Sequence, residues 1–469
     1  MAIKHYLKEL ESMTPDKARE FLALKAQEMK NAVIGAPDYQ PKNERVIFVS
    51  NSGCDCNDGL TPETAIATLE KVNEITQPGD TVLFERGSHF RGSVTVDKDG
   101  VTYAAYGKGV KPILDGSPKN YADPSLWEKT DVENIWHLTE KIRNVGLMHC
   151  DPSYTYGQYN EIYGTMKLKG RQNFEQYSDL AADLEFYSDM STDDFYLYSE
   201  KNPGERFLDI ELAPRKNMFG GSAHNVTFDN LWITHVGGHG IGSGTTKNRT
   251  VRNCVFSWLG GSILSLDFRG SGPVRYGNAV EIYGGCDGYT VENNWMYQIY
   301  DTAVTHQFSG GDVQCHQHNV KYLNNLMEYC FWFIEYYNAD CQGNPQSVKN
   351  IYMTGNFCRF GGYGWGCKLR KAWTPMYCGS TVCCEVENHV AENNIFYHSL
   401  GYLVVLANCE GHKSEIMRNN VYVNPKGAKF AKLYNEEYFF DGSEKEILKK
   451  IVHEEEPTVV YMPAPLERF

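Results

Sequence analysis

The stretch TVENNWM at residues 290–296 places an asparagine pair inside a segment that otherwise alternates like a β-strand. Asparagine is disfavoured in strands and is tolerated where the chain bends or adopts a left-handed conformation. The steps between copies of this pattern range from 23 to 40 residues, so strand and bend recur while the loops vary. Such a repeat predicts a parallel β-helix rather than a tight helical array. The six other copies are TFDNLWI at 227–233, TVRNCVF at 250–256, KYLNNLM at 321–327, YMTGNFC at 352–358, VAENNIF at 390–396 and IMRNNVY at 416–422.

The stacking of coils explains why asparagine recurs. Coils of a β-helix lie about 4.8 Å apart, so a side chain at one bend lies over its counterpart in the next coil. Stacked amides can hydrogen-bond along the axis, and asparagine also tolerates a left-handed backbone. We therefore expect one residue to serve both the bend and the buried polar position. Leu231 and Cys254, which replace the second asparagine in the first two copies, mark the early end of this ladder.

The chain divides into five predicted regions. These are a helical extension over 1–43, the start of the β-helix over 44–118, an inserted β-rich subdomain over 119–215, the core coils over 216–428 and a capping tail over 429–469.

Three of these regions carry recognisable local signals. In the extension, Thr14-Pro15-Asp16 starts a helix, and a second helix beginning at Thr61-Pro62-Glu63 is expected to run over 61–76 and cap the first coil. In the subdomain, LEFYSD and FYLYSE predict a hairpin around Met190-Ser191-Thr192. The tail predicts an amphipathic helix over 443–455 that caps the solenoid, with a homo-oligomer contact through the terminal helices as the alternative.

Composition excludes several functional classes. A hydrophobic content of 42% and 43 glycines suit a folded β protein with many turns. The formal net charge of −14 argues against nucleic acid as a partner, because nucleic-acid affinity depends on contacts from lysine and arginine to phosphate. No segment reaches the length of a membrane helix, and the start MAIKHYLKELESM lacks the apolar run of a signal peptide. We expect a cytoplasmic protein with most of its 14 cysteines unpaired.

Longer stretches resemble a known superfamily. The segment from Val49 to Val96 and the asparagine coils resemble pectate-lyase-like proteins with a right-handed parallel β-helix. Two further segments, DLEFYSDMSTDDFYLYSEKNP at 183–203 and RYGNAVEIYGGCDGYTVENNWMYQIYDTAVTHQ at 275–307, are similar to bacterial β-helical glycoside hydrolases of the β-xylosidase and fucosidase-xylanase type. The resemblance implies an all-β solenoid and a carbohydrate substrate. Fold alone does not fix the reaction, because the same solenoid carries other activities.

Three acidic residues lie on consecutive predicted coils. They are Glu281 in GNAVEIYGG, Asp301 in QIYDTAV and Glu335 in CFWFIEYYN. If their strands are equivalent, Glu281 and Glu335 are two coils apart, or about 9.6 Å between backbones. Glycoside hydrolysis needs one carboxyl as acid and a second as nucleophile or base. Asp301 and Glu281 are the leading pair, in an order that the sequence leaves open, with Glu335 as the third candidate.

Further residues near these acids are candidates for substrate binding. Histidines and polar groups can hydrogen-bond sugar hydroxyls, and aromatic rings can stack on sugar faces. The candidates are His239, His306, Gln307, Asp267, Arg275, Arg370, Trp332, Tyr336, Trp365 and Trp373. For each of them, ordinary packing or a structural hydrogen bond is the alternative.

No cofactor and no metal are predicted. The densest group of soft ligands, Cys315-His316-Gln317-His318, lacks the paired spacing that makes a zinc site convincing. A lyase or epimerase that acts on uronates is the second hypothesis, because Arg269, Arg275, Lys368 and Arg370 could bind an acidic sugar. A non-catalytic carbohydrate-binding β-helix is the third hypothesis. It would have no convergent pair of acids.

Overall fold

Three ten-stranded sheets form the faces of a right-handed parallel β-helix, which confirms the predicted fold. The computed structural model describes residues 8–42, 45–169, 173–174, 176–268, 270, 272–309, 315–339, 345–367, 370 and 374–463.

The coils between the two ends contribute one strand to each face. At the ends, the first coil contributes only Val46–Val49, and Glu436–Phe439 pairs antiparallel with Lys429–Leu433. Face 1 contains Val46–Val49, Thr81–Glu85, Thr102–Tyr106, Thr227–Asp229, Thr246–Arg252, Cys286–Glu292, Cys315–Leu323, Gln346–Thr354, Glu385–Glu392 and Glu415–Arg418. Face 2 contains His89–Arg91, Ile113–Asp115, Trp232–Thr234, Val255–Leu259, Trp295–Ile299, Leu326–Glu328, Phe357–Gly361, Ile395–Ser399, Val421–Asn424 and Thr458–Tyr461. Face 3 contains Val94–Thr95, Phe219–Gly220, Ile241–Ser243, Val280–Tyr283, Thr302–Ser309, Trp332–Ala339, Tyr377–Val382, Val404–Leu406, Lys429–Leu433 and Glu436–Phe439.

The asparagine pairs form the corner between face 1 and face 2, and the two members of a pair have different roles. The first member adopts the left-handed backbone, as Asn293 does with φ 51° and Asn324 with φ 53°. The second member is buried and builds the ladder, as in Asn294 Nδ2 donating to Asn325 Oδ1 at 3.0 Å. The expectation that one residue serves both purposes was wrong. A side chain that points outward at the bend cannot also reach the interior, so two residues are needed.

The ladder runs through the interior and ends in a carboxyl group. It begins at Asn294, whose Oδ1 accepts the backbone N–H of Cys254 at 2.9 Å. The ladder therefore starts next to Cys254, where the sequence predicts its early end. At the other end, Glu454 Oε1 accepts the backbone N–H of Asn420 at 3.1 Å and its Nδ2 at 2.9 Å. Burial raises the pKa of Glu454 to about 7, although hydrogen bonds from Tyr422 and Asn420 oppose that shift.

The first coil is closed differently from the expectation. Pro62–Thr64 is a single 3₁₀ turn, and the α-helix covers only Leu69–Ile75. Between them Ile66 pairs with Val49 as an isolated bridge, so the intervening chain is extended. Asp55 fixes the real start of the helix, because its Oδ1 accepts the backbone N–H of Ala67 at 2.8 Å and of Thr68 at 3.1 Å.

Face 2 is covered from outside by the N-terminal helix. The helix Pro15–Ile34 begins after Thr14 as predicted, and its buried residues Leu22 and Met29 pack with Trp295 of face 2. Lys30 Nζ lies 3.1 Å from Glu328 Oε2, and Glu328 also pairs with Arg359. The buried, hydrogen-bonded cluster around Glu328 therefore holds the helix on the solenoid.

The terminal helix Glu444–Ile451 buries Leu448 against the main core and covers the end of the solenoid. The remaining short helices are Leu10–Ser12, Pro124–Leu126, Tyr177–Asp179, Pro203–Arg206, Trp365–Cys367 and Glu410–Ser414. Within the described residues, no helix combines the length and apolar character needed to cross a membrane.

The inserted subdomain is a seven-stranded sheet with its own core, as predicted. The predicted hairpin is present, with Tyr187 opposite Tyr196. The subdomain also packs on face 2, where His149 Nδ1 lies 2.8 Å from His235 Nε2. Its strands are Trp127–Lys129, Ile135–Leu138, Leu147–Cys150, Ile162–Met166, Glu185–Ser188, Phe195–Tyr198 and Ile210–Ala213, and Leu168–Lys169 pairs separately with Asn173–Phe174.

Candidate active site

A cavity of about 720 Å³ opens on face 3. Two consecutive coils form its floor, and in each of them only a few residues connect face 2 to face 3. Asp301 lies in the first of these short connections, and Trp332 directly follows the second. Long connections in the flanking coils form its walls. One contains the hairpin of Ile263–Ser265 with Val274–Arg275, and the other contains Arg370. The lining residues that matter for chemistry are Asn217, His239, Asn278, Glu281, Asp301, Gln307, Trp332, Glu335 and Arg370.

Strand register aligns two of the predicted acids. Glu281 pairs with Thr305 on the next coil, and Thr305 pairs with Glu335 on the coil after it. The conditional expectation of equivalent strands is therefore confirmed, and the two glutamates point to the same side of face 3. Neighbours of opposite parity, such as Ile282, point into the core.

Glu281 is buried at the cavity floor with one direct amide partner. Asn278 Nδ2 donates to Glu281 Oε2, and His239 Nδ1 lies 4.0 Å from the same oxygen. Burial raises the pKa of Glu281 to about 8; the hydrogen bond from Asn278 opposes this shift and the charge of Asp301 adds to it. The carboxyl is therefore mostly protonated at neutral pH and can donate a proton.

Glu335 is the second buried carboxyl. Its Oε2 accepts hydrogen bonds from Thr302 Oγ1 at 3.0 Å and from Gln307 Nε2 at 2.6 Å. Burial raises the pKa of Glu335 well above its ordinary value, and the charges of Asp301 and Glu281 act in the same direction. Glu281 and Glu335 thus both favour the protonated form.

Asp301 differs from the two glutamates because it has a cationic partner. Arg370 Nη1 donates to Asp301 Oδ1 at 2.9 Å, and the aspartate side chain is 20% exposed. The guanidinium of Arg370 is held over the rings of Phe331 and Tyr300, at 4.1 Å and 4.4 Å from their centroids. The site therefore combines one acidic side chain in an ion pair with two buried carboxyls whose pKa values are raised.

His239 and Asn278 connect the floor of the cavity. His239 Nδ1 accepts the backbone N–H of Asn278 at 3.1 Å, which places the imidazole proton on Nε2. Burial lowers the pKa of His239 to about 3, so the ring is neutral at physiological pH. Asn278 Oδ1 accepts the backbone N–H of Thr302 at 2.9 Å, so one amide holds both Glu281 and the start of the next strand.

Some predicted binding residues lie elsewhere. His306 and Tyr336 are inside the solenoid, stacked on each other at 5.3 Å, because they have the opposite strand parity to Thr305 and Glu335. Trp365 is also buried, and its Nε1 donates to the carbonyl of Gln298 at 2.8 Å. For these three residues the packing alternative is correct.

The remaining predictions divide in the same way. Asp267 is exposed on the hairpin loop and does not line the cavity, where Phe268 lies instead. Arg275 lines the cavity, but its Nη2 donates to the carbonyl of Gly146 at 2.8 Å and its Nε donates to that of Gly261. That guanidinium therefore fastens the hairpin and the subdomain. His239, Gln307, Trp332 and Arg370 line the cavity, and their role in substrate binding stays a prediction. Arg269, Lys368 and Trp373 are outside the described residues.

Sequence reasoning missed several lining residues. Asn217 and Asn278 lie outside the repeated pattern, and Leu264, Phe268 and Tyr283 are exposed apolar side chains on the cavity rim. The available signal was the unequal spacing of the coils. The longest step, 40 residues from Cys254 to Asn294, contains the hairpin that forms one wall.

In the part of the chain that the structure describes, no three histidine, cysteine, aspartate or glutamate side chains are placed to hold a metal ion. In the predicted soft-ligand group, both His316 and His318 hydrogen-bond Ser347 Oγ, at 2.8 Å and 2.7 Å.

Solved structures with similar folds are of the β-helical kinds that the sequence resembles. The complex of XylC with xylose is 11% identical, with a TM-score of 0.46, and the similarity covers 82% of this chain and 69% of that one. GH136 lacto-N-biosidase from Eubacterium ramulus is 13% identical, with a TM-score of 0.41 over 89% of this chain and 68% of that one. Pectate lyase Pel9A is 12% identical, with a TM-score of 0.43 over 90% and 79%. No family model matches the sequence, and neither does any curated protein.

Proposed function

We propose that the protein is a glycoside hydrolase in which Glu281 is the general acid and Asp301 is the nucleophile or base. The observation that carries this proposal is the convergence of Glu281, Asp301 and Glu335 on one cavity in different electrostatic settings. Two carboxyl groups with separated proton affinities are the requirement for acid and base roles in glycoside hydrolysis.

The proposed reaction begins with the proton on Glu281. Burial favours its protonated form, so it can protonate the glycosidic oxygen as the bond to the anomeric carbon breaks. Asp301, which is paired with Arg370, attacks that carbon or activates the water that does so. Arg370 also keeps the carboxylate oriented toward the cavity. This mechanism needs no cofactor.

Glu335 has a supporting role in this scheme. It lies two coils from Glu281 and is buried, and hydrogen bonds from Thr302 and Gln307 fix its orientation. A protonated carboxyl in that position can donate to a sugar hydroxyl. It also adds no negative charge beside Asp301 while it keeps its proton.

The proposed substrates are short oligosaccharides or plant-derived glycosides. The cavity has polar groups for hydroxyls and apolar rim residues for sugar faces, including Leu264 and Phe268. For a uronate lyase, a cation free to bind the acidic sugar is needed. Of the cavity arginines in the described residues, Arg275 donates to backbone carbonyls through Nε and Nη2, and Arg370 pairs with Asp301. These contacts favour the hydrolase over the lyase.

An activity screen tests the proposal. Wild type, Glu281→Gln, Asp301→Asn and Glu335→Gln are assayed on aryl glycosides and plant oligosaccharides, with Glu387→Gln as the matched control. Glu387 is an exposed glutamate on face 1, so its substitution should leave activity unchanged. Loss of sugar release in folded Glu281→Gln and Asp301→Asn supports the proposal, and the anomer released first, followed by NMR, separates retention from inversion.

Other results would overturn the proposal. An unsaturated, ultraviolet-absorbing product on uronate polymers would favour the lyase. Binding of glycans without turnover would favour a carbohydrate-binding protein. Full activity in both folded variants would remove these carboxyls from the mechanism.

A further inference from the structure

The part of the cavity on the N-terminal side of Glu281 contains two polar side chains that the proposed mechanism does not use. Asn217 lies between the inserted subdomain and face 3, and His239 lies in the short turn before the next strand of face 3. Both line the cavity beside Gly242, which pairs in register with Glu281. In the order of the coils, these residues therefore lie on the opposite side of Glu281 from Asp301.

A backbone N–H fixes the orientation of the Asn217 amide. The N–H of His239 donates to Asn217 Oδ1 at 2.9 Å, so Oδ1 is the accepting end of the amide and Nδ2 is the donating end. Nδ2 lies directly over Gly242, because a Cβ added to that glycine would collide with it. Nδ2 makes no hydrogen bond to the residues that the structure describes. The amide therefore presents an unpaired donor to the cavity.

The ring of His239 is fixed in the same way. Its Nδ1 accepts the backbone N–H of Asn278, so Nε2 carries the proton. Cδ2, the carbon bonded to Nε2, would lie 3.4 Å from a Cβ on Gly242. The side chain is 15% exposed, and within the described part of the chain Nε2 has no acceptor. Both donors thus border the space above Gly242, which a larger residue at that position would fill.

The position of the acid determines which part of a substrate reaches these donors. In the proposed mechanism Glu281 protonates the oxygen of the leaving group, and Asp301 acts at the anomeric carbon. The sugar that contains this carbon therefore lies beside Asp301 and Glu335, and the leaving group extends from Glu281 over Gly242. Neighbouring coils are about 4.8 Å apart, so this space is one coil from the acid. That distance is comparable to the size of one sugar ring.

We propose that Asn217 Nδ2 and His239 Nε2 bind hydroxyl oxygens of a sugar in the leaving-group position. This proposal rests on the proposed function and narrows its substrate class to oligosaccharides, with glycosides of a non-sugar aglycone as poorer substrates. Hydroxyl oxygens can accept both N–H groups, whereas an apolar aglycone leaves two donors unpaired. Leu264 and Phe268 on the rim of the same cavity can contact the face of the bound ring.

Two substrates with the same first sugar and different leaving groups test this assignment. Kinetic constants are measured on a disaccharide that wild type cleaves and on the benzyl glycoside of its non-reducing sugar. Both leaving groups are alcohols that need a proton from Glu281, but only the disaccharide offers hydroxyls to Asn217. We expect wild type to prefer the disaccharide. Asn217→Ala should lower the ratio of kcat/KM on the disaccharide to that on the benzyl glycoside about tenfold, mainly through KM. The matched control Asn160→Ala, at an exposed position in the subdomain, should leave the ratio unchanged.

Two further measurements separate substrate binding from a structural role. Asn217→Asp retains an acceptor for the backbone N–H of His239 but has no amide N–H to donate. It should therefore lower the same ratio while the circular dichroism spectrum stays unchanged. Disaccharides that lack one hydroxyl of the leaving sugar complete a double-mutant cycle. One of them should react about tenfold more slowly than the parent in wild type, with no such difference in Asn217→Ala.

Three outcomes overturn the assignment. Equal losses on the disaccharide and the benzyl glycoside would remove Asn217 from the leaving-group position. A wild type that prefers the benzyl glycoside would show that this position takes an apolar aglycone. Independent losses for every hydroxyl in the cycle would exclude a contact. In each case sugar release continues and the hydrolase proposal stands, whereas no turnover of either substrate would remove both proposals. The preference of wild type decides the question even if Asn217→Ala fails to fold.

Discussion

Replacing Asn356 with alanine removes one rung from the buried amide ladder. Asn356 Oδ1 accepts two donors of Asn325, the backbone N–H at 3.1 Å and Nδ2 at 3.0 Å. Its Nδ2 donates to the carbonyl of Tyr322 at 2.8 Å and to Asn394 Oδ1 at 3.0 Å. Asn394 Oδ1 keeps another donor, the backbone N–H of residue 356, at 3.0 Å. The substitution therefore leaves the backbone N–H of Asn325 and one N–H of its side-chain amide unpaired in the interior.

These unpaired groups determine the expected loss. Each buried polar group without a partner costs about 1–3 kcal/mol, so these two predict a fall of about 4 kcal/mol in the free energy of unfolding. The void left by the truncated side chain adds to this cost. Such a loss is large for a single substitution, because most point mutations destabilise by less.

Urea unfolding followed by circular dichroism and tryptophan fluorescence measures the effect, and coincidence of the two probes tests the two-state assumption. The matched control is Asn350→Gly. Asn350 belongs to an exposed row of amides, with Nδ2 donating to Asn319 Oδ1 at 3.1 Å, and its φ of 58° is one that glycine adopts freely. We expect a cost below about 1 kcal/mol there. Equal losses in the two variants, or a loss below about 1 kcal/mol in Asn356→Ala, would refute the role assigned to the buried ladder.

Three further predictions concern charge and protonation. Because the protonated form of Glu281 is the proposed acid and its pKa is raised to about 8, kcat/KM should fall as pH rises through about 8; a profile that stays flat across this range would exclude that role. Arg370→Gln should lower sugar release about a hundredfold with an unchanged circular dichroism spectrum, because Asp301 loses its cationic partner, and an unchanged rate would show that the ion pair is dispensable. The raised pKa of Glu454, about 7 in the fold against an ordinary 4.5, contributes stability below about pH 4.5 that is lost as pH rises through about 7. Glu454→Gln should abolish this decline of about 3 kcal/mol in urea unfolding at several pH values, and parallel curves for wild type and variant would contradict the assignment.

The fold could be predicted from the repeated asparagine pairs, because stacked coils explain why a buried amide recurs at unequal spacing. The division of roles within a pair was not readable. The sequence pattern is the same whether Asn293 or Asn294 bends the chain, and only the backbone conformation separates them. Glu454 was missed as the end of the ladder because its segment contains no asparagine pair.

Part of the site was also readable from sequence. Glu281 and Glu335 follow from the register of neighbouring coils, because strand spacing and side-chain alternation are fixed by backbone geometry. The same alternation places His306 and Tyr336 inside, so those two errors were avoidable. No such rule predicts contacts between loops that are far apart in the sequence. The pairing of Arg370 with Asp301 joins residues 69 positions apart through a connection of irregular shape.

The placement of the site follows from where this solenoid is rigid and where it varies. The corner between face 1 and face 2 is tied by the ladder from Asn294 to Glu454 and changes little between coils. Three long connections leave at the opposite end of face 2, where the chain turns toward face 3. They are the inserted subdomain, the hairpin of Ile263–Ser265 with Val274–Arg275 and the segment that contains Arg370. The coils between the hairpin and the Arg370 segment pass from face 2 to face 3 in only a few residues. The short connections leave a gap between the two longer ones, and Asp301 lies at the floor of this gap. A fixed corner thus allows the loops at another corner to lengthen without disturbing strand register, and unequal loop lengths create the cavity. In a solenoid with an uneven repeat, the coils next to the longest steps are therefore the first place to look for a site.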